Sequence, residues 1–212
     1  MTIRTVPTKP IPGQKPGTSG LRAKTATFAE TPYLENFAQA IFDAIGGVEG
    51  KTLALGGDGR FFADRAAVTI LKMAAANGAA RVIVGRDGLL STPAASALIR
   101  ARGTDGGIIL SASHNPGGPE GDFGVKFNMP NGGPAPERVT GAIHARAEAL
   151  DRYLILDAPD PDLSTIGEAT LGAMTVEVVD PVETYAALMR SLFDFDAIRA
   201  LFASGFTMRF DA

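Results

Sequence analysis

The 212-residue chain is 45% hydrophobic and carries a formal net charge of −3, so it can bury a core and offers no electrostatic footprint for nucleic acid. Cysteine is absent, and the two histidines, His114 and His144, are too far apart for a local zinc pair, which excludes disulfides and thiolate metal sites. No apolar run is long enough to span a bilayer, and MTIRTVPTKPIPGQKPG at the start lacks the apolar stretch of a secretory signal; a cytoplasmic protein without a membrane partner is the expectation.

Taken in chain order, TPYLENFAQAIFDAI from Thr31 places Leu34, Phe37, Ala38, Ile41, Phe42 and Ile45 at helical spacing, and Gly46-Gly47 supplies a stop. Thr52–Leu55 is a short buried strand running into GGDGR. Arg65–Asn77 reads as a helix with Gly78 as its cap, and Arg81–Val84 as a second buried strand. Thr92–Arg100 is a helix with Pro93 in its first turn, Gly107–Ser111 a third strand, and Val125–Asn128 a fourth strand or a hairpin arm. Glu137–Leu150 is expected to be helical, and DAPDPD (Asp157–Asp162) is a turn-rich connector. Thr175–Val179 reads as a strand, Val182–Phe202 as one long helix and Phe206–Phe210 as a final strand. Tyr185, Leu188, Met189, Leu192 and Phe193 give that helix an apolar stripe.

Short β-branched runs alternating with helices indicate an α/β fold with a largely parallel sheet, in which ligands bind beyond the carboxyl ends of the strands. The 25 glycines and 14 prolines gather at such places, where backbone must turn sharply or approach a ligand closely.

Three segments can carry chemistry. In IILSASHNPGGPEGDFGVKF (Ile108–Phe127) a buried strand delivers Ser113 into a loop with His114, Asn115 and paired glycines, and Lys126 returns on the next strand. A serine hydroxyl needs a base or a positive field to act as a nucleophile, and the glycine amides can form an anion-binding concavity. GQKPGTSGLR (Gly13–Arg22) combines glycines with Thr18, Ser19, Lys15 and Arg22, a phosphate cradle without the Walker A ending. GGDGR sets Asp58 and Arg60 at the end of the first buried strand. Each segment also has a purely structural reading: a Ser-His-Asn-Pro turn, a solvated amino-terminal arm, and a tight turn closed by an ion pair.

The run SASHNPGGPEGDFGVKFN resembles the phosphoserine loop of the α-D-phosphohexomutase family, with its Ser/Thr-Ala-Ser-His-Asn-Pro signature. The resemblance continues in order through PGTSGLR, GGDGRFF, LLSTPA, NGGPAPE and DPVETYAALM to the final MRFDA. The long form NPGGPEGDFGVKFN is similar to the glucose-specific, phosphoglucomutase branch rather than the phosphomannomutase or phosphoglucosamine mutase branches.

The resemblance implies a layered α/β/α domain with a mixed, largely parallel sheet over residues 1–184, and the opening of a second α/β domain over residues 185–212. It implies that Ser113 carries a phosphoryl group and passes it to the 6-hydroxyl of glucose 1-phosphate. Glucose 1,6-bisphosphate then turns over in the site and returns its other phosphoryl group, leaving glucose 6-phosphate. His114 matches a position that handles substrate, Lys126 a lysine that assists proton transfer, and Arg22 an arginine near the transferring phosphate. Thr18, Ser19, Asn115, Asp58 and Arg60 are expected to line the phosphosugar site. Members of the family use Mg2+ held by the phosphoserine and by three aspartates of a DGDGDR-type loop. No such loop occurs here, so Ser113 is the one expected metal ligand, through its phosphoryl group. Asp157, Asp160 and Asp162 read as a surface connector. Family members are more than twice this length, and the chain alone is expected to be an amino-terminal segment without the full catalytic cycle. The competing expectations are a silent phosphosugar-binding module and a serine hydrolase built on Ser113-His114; the second lacks a G-x-S-x-G elbow.

Overall fold

In the computed structural model, which describes residues 1–17 and 19–211, four strands form the parallel heart of a sheet: β3 (Thr52–Gly57), β4 (Arg81–Leu89), β5 (Gly107–Leu110) and β9 (Met174–Val179). Antiparallel strands extend it on both sides, β6 (Asp122–Asn128) and β2 (Leu21–Lys24) beyond β5, and β8 (Gly167–Leu171) beyond β9. The order is β2-β6-β5-β3-β4-β9-β8. A separate antiparallel ribbon joins β1 (Thr2–Pro7) to β7 (Arg152–Asp157).

The period of two along the central strands distributes side chains to two cores. Leu53, Leu55, Val82, Val84, Ile108 and Leu110 face the larger core, with Phe37 and Ile41 of α2 (Tyr33–Ala44), Ile70 and Leu71 of α3 (Ala63–Ala76) and Ile143 of α5 (Glu137–Ala147). The intervening Ala54, Ile83 and Ile109 face the other core, against Ala95, Leu98 and Ile99 of α4 (Thr92–Arg102). This is the largely parallel α/β fold expected from the alternation of elements, in the mixed α/β/α form that the resemblance implies. Helix α4 starts where its sequence asks it to: Ser91 Oγ accepts from the Ala94 amide at 3.3 Å, Pro93 occupies the first turn, and Gly103 closes the other end in the left-handed region.

Four differences from the sequence reading stand out. Strand β4 runs on to Leu89 through a register shift against β3. The expected helix Val182–Phe202 is two helices, α6 (Glu183–Leu192) and α7 (Phe195–Ala203), because Phe193 is extended and Asp194 caps the second helix through the Ala197 amide at 2.9 Å. Phe206–Phe210 forms no strand: among the described residues nothing pairs with it, and an unpaired strand has no ladder to hold it. The ribbon β1–β7, the strands β2 and β8 and the short helix α1 (Thr25–Ala29) are additions that the apolar runs did not mark. Neither α6 nor α7 has a buried residue, although Tyr185 packs on the α4 core.

Candidate active site

Strand β5 ends at Leu110, and the chain beyond it turns through Ser111–Gly121 before returning as β6. Two loops meet there because Gly57 allows it: a Cβ at that position would lie 2.1 Å from the Leu110 carbonyl oxygen. The GGDGR turn is thereby pressed against the SASHNP loop, and the Asp58 amide donates to Leu110 O at 3.2 Å.

Arg60 ties the two loops together. Its guanidinium meets the Asp58 carboxylate through Nε (3.0 and 3.1 Å) and Nη2 (2.8 Å), the paired geometry suited to a carboxylate. Nη1 donates to Asp122 O at 2.6 Å, and Nη2 also reaches Ser113 O at 3.1 Å. The Arg60 side chain is only 7% exposed, so its donors are spent inside the protein. Ser111 Oγ donates to Asp58 Oδ2 at 2.8 Å and accepts from the Ser113 amide at 3.0 Å. Burial pushes the Asp58 carboxyl upward, but hydrogen bonds from Arg60 and Ser111 outweigh it and hold the group below its ordinary range.

Ser113 sits exposed at the tip of this arrangement with φ 61°, in the left-handed region. His114 beside it is also exposed. Asn115 is fixed by a bond from Nδ2 to Asp122 Oδ2 at 2.8 Å, and Lys24 pairs with the other Asp122 oxygen at 2.8 Å. Thus Ser113, Asn115, Asp58 and Arg60, which the sequence singled out separately, share one connected network.

Lys126 approaches the same place from β6, where it pairs in register with Ile109. Burial lowers its pKa most, and the positive charges of Arg22 and Arg60 lower it further, while Asp58 acts in the opposite direction. Arg22, on β2 opposite Gly124, is half-buried, and among the described residues its Nε has no hydrogen-bond partner. The turn Gly17–Gly20 leans on Lys126: a Cβ at Gly20, whose φ is 85°, would fall 2.7 Å from Lys126 Cγ. Ser19 is exposed on that turn, whereas Thr18 lies outside the described residues. Beside them opens a cleft of about 230 Å3 lined by Ser19, Gly20, Lys126, Phe37 and Ile143 among others.

The donor set does not make a magnesium site. Among the described residues no three His, Asp or Glu side chains are grouped to hold a metal, and the two carboxylates of the network are committed, Asp58 to Arg60 and Ser111 and Asp122 to Asn115 and Lys24. Asp160 pairs with Lys72 at 2.5 Å and Asp162 accepts from Ser164, as expected of a surface connector.

Sequence reasoning missed Ser111 and Asp122. The signal for Ser111 was its polarity at the end of the apolar run GIIL, since a hydroxyl that is 4% exposed requires partners. For Asp122, which uses its carboxylate on Asn115 and Lys24 and its carbonyl on Arg60, no local signal existed.

Residues 13–154 match the family model described as phosphoglucomutase/phosphomannomutase, alpha/beta/alpha domain I. The chain is 56% identical over 210 residues to a phosphoglucomutase of Rhizobium radiobacter, covering 99% of this chain and 39% of the relative. It is 50% identical to the chloroplastic phosphoglucomutase of Arabidopsis thaliana, with 99% and 34% covered. The crystal structure of the open form of parafusin, a phosphoglucomutase from Paramecium, superposes with a TM-score of 0.92 at 43% identity, over 99% of this chain and 40% of that one. The chain therefore spans between a third and two fifths of the length of such relatives, and with its family-model match it belongs to the phosphoglucomutase/phosphomannomutase family.

Proposed function

We propose that this chain is the part of a phosphoglucomutase that carries the phosphoryl-accepting serine, Ser113, and one wall of the phosphosugar site. The observation that carries the reading is the position of Ser113, beyond the carboxyl end of parallel strand β5 and bonded through its carbonyl to Arg60, whose charge, like that of Arg22, also acts on Lys126. Phosphoryl transfer needs alignment and neutralised charge more than covalent help. In the forward direction the Ser113 Oγ–P bond breaks as a P–O bond forms to the sugar O6, and the O6 proton leaves to a base. Lys126 is the base we assign, because its burial among cations disfavours the ammonium form. Arg22, whose Nε has no partner among the described residues, is assigned to the phosphate oxygens. His114, Ser19, Thr18 and Asn115 are assigned to the sugar side of the loop.

Glucose 1-phosphate and glucose 6-phosphate are the proposed substrates, glucose 1,6-bisphosphate the intermediate, and Mg2+ the cofactor of the whole protein. The residues present supply one metal ligand at most, a phosphorylated Ser113, and no step is derived through the ion. Residues 1–184 are assigned to the first domain and 185–212 to the opening of the next; the absence of buried side chains in α6 and α7 supports that division. A cytoplasmic setting is proposed, as named for the phosphoglucomutase of Mesembryanthemum crystallinum, 51% identical to this chain, although other relatives are chloroplastic; among the described residues no helix is long and apolar enough to cross a membrane.

The test is binding by titration calorimetry. Glucose 1-phosphate should bind and glucose should not, and Arg22→Gln should weaken binding by about tenfold, the loss of one charged phosphate contact. Equal binding of glucose and glucose 1-phosphate would remove the site from this face.

A further inference from the structure

We propose that Ser111 and Asp58, acting with Arg60, are positioning residues that clasp both backbone ends of Ser113 and so set the direction of its hydroxyl. The proposal rests on the assignment of Ser113 as phosphoryl acceptor, and it adds a role for a serine that neither the sugar nor the phosphate needs to touch.

The geometry is specific about the direction of each bond. Ser111 Oγ has one proton, and the Asp58 carboxylate can only accept, so the 2.8 Å contact between them consumes that proton. The remaining lone pairs of Ser111 Oγ are then free to accept from the Ser113 amide, at 3.0 Å. Arg60 Nη2, bound to the same Asp58 oxygen at 2.8 Å, donates to the carbonyl of Ser113 at 3.1 Å. One ion pair thereby grips the N–H of Ser113 through Ser111 and its C=O directly. A neutral or reversed link would break the chain, because a hydroxyl that donated to a backbone amide has no acceptor there.

The clasp has work to do. Ser113 holds φ 61°, a conformation disfavoured for any residue with a Cβ. Such conformations persist where the surroundings over-determine them, and they aim a side chain in a direction that relaxed backbone does not. Ser111 is buried and Arg60 nearly so, whereas Ser113 is exposed; the rigid parts lie behind the reactive one. The partners are themselves fixed, Asp58 through its amide on Leu110 O and Arg60 through Asp122 O. A hydroxyl misaimed by even an ångström loses in-line geometry, which is why a residue that never meets substrate can control the rate.

The test uses the full chain and two variants, Ser111→Ala and Ser111→Thr, the second keeping the hydroxyl. Amide hydrogen exchange reads the clasp directly. The Ser113 amide should exchange at least tenfold faster in Ser111→Ala than in the unmodified chain, with protection restored in Ser111→Thr and unchanged in strands β3 and β5. Asp58→Asn, which keeps the shape but loses the ion pair, should loosen the same amide, and its result decides the question where Ser111→Ala disturbs the sheet as a whole. In parallel, the rate of Ser113 phosphorylation by glucose 1,6-bisphosphate should fall in Ser111→Ala and recover in Ser111→Thr, with half-saturation within about twofold. Unchanged exchange at Ser113 in Ser111→Ala and Asp58→Asn, or a Ser111→Thr variant as impaired as Ser111→Ala, overturns the proposal. If neither the unmodified chain nor a version extended to the length of its relatives takes up a phosphoryl group, the acceptor assignment fails, while the exchange measurement still decides whether the clasp exists.

Discussion

Replacing Gly20 by alanine should cost far more than its single methyl group suggests. Gly20 has φ 85°, and an added Cβ would stand 2.4 Å from the Val125 carbonyl oxygen and 2.7 Å from Lys126 Cγ. The left-handed backbone alone costs an L-residue about 1–2 kcal/mol. Val125 is fixed in the sheet between β2 and β5, so the overlap with its backbone is not relieved by a rotamer change, and overpacking of this kind costs about 1–3 kcal/mol. The expected loss is therefore roughly 2–5 kcal/mol. Gly13 separates the two contributions: its φ is 86°, but a Cβ there meets nothing within 4 Å, so Gly13→Ala carries the backbone cost alone. Both variants also share the same small gain from a stiffer unfolded chain. Urea unfolding followed by circular dichroism should place the Gly20→Ala midpoint below that of Gly13→Ala by about 0.5–1.5 M, for a slope of about 2 kcal/mol/M. Equal midpoints for the two variants would refute the claim that the Gly17–Gly20 turn rests on β6.

Three further outcomes are expected. Lys126→Met should raise the melting temperature at pH 7, by about 2–4 °C for each kcal/mol gained, while abolishing phosphoryl transfer. The sign follows from linkage: the folded pKa of Lys126 is depressed, so its charged form costs stability at neutral pH, and the cost fades as pH rises from the folded pKa toward the ordinary lysine value. A lower melting temperature at pH 7 would contradict the assigned burial. Asp58 has the opposite sense: its depressed pKa means that its contribution is present above the ordinary aspartate range and lost as pH falls through the folded value. Chemical unfolding should show Asp58→Asn clearly less stable than the unmodified chain at pH 7, with the gap shrinking below about pH 4; a gap independent of pH would sink that account. Finally, Leu192, Phe202 and Phe210 are exposed apolar side chains on or beyond α6 and α7 and should drive self-association. Changing all three to serine should reduce the large species seen by sedimentation velocity and alter stability by no more than about 0.5 kcal/mol per site; unaltered sedimentation would contradict it.

The parts of the fold that could be read from sequence are those whose local signal and tertiary role agree. Leu53, Leu55, Val82 and Val84 lie in short apolar runs flanked by glycine, and α4 carries its own start and stop in Ser91, Pro93 and Gly103. The ribbon β1–β7 was invisible because Thr2–Pro7 is largely exposed, so no apolar face marks it, and its existence depends on a partner 150 residues away. Strand β8, GEATL, is an edge strand with four exposed residues and gives the same difficulty. In the segment Val182–Phe202 the apolar spacing runs straight across Phe193, and only Asp194 as an N-cap signals the break. The site divides in the same way. Ser113, Asn115, Asp58, Arg60 and Lys126 stood out as polar groups in glycine-rich or strand-end settings, but Ser111 matters through bonds made across 53 residues, which sequence spacing does not express.

Ser113, as the residue that accepts the phosphoryl group, is central to the proposed chemistry. Incubating the chain with glucose 1,6-bisphosphate and magnesium, beside Ser113→Ala, and measuring intact mass with phosphopeptide mapping tests this directly. One added phosphoryl group located on Ser113 and missing from the variant is the expected result. Phosphorylation at another residue, or none on the chain and on a version extended to the length of its relatives, would contradict it and leave a phosphosugar-binding module in its place.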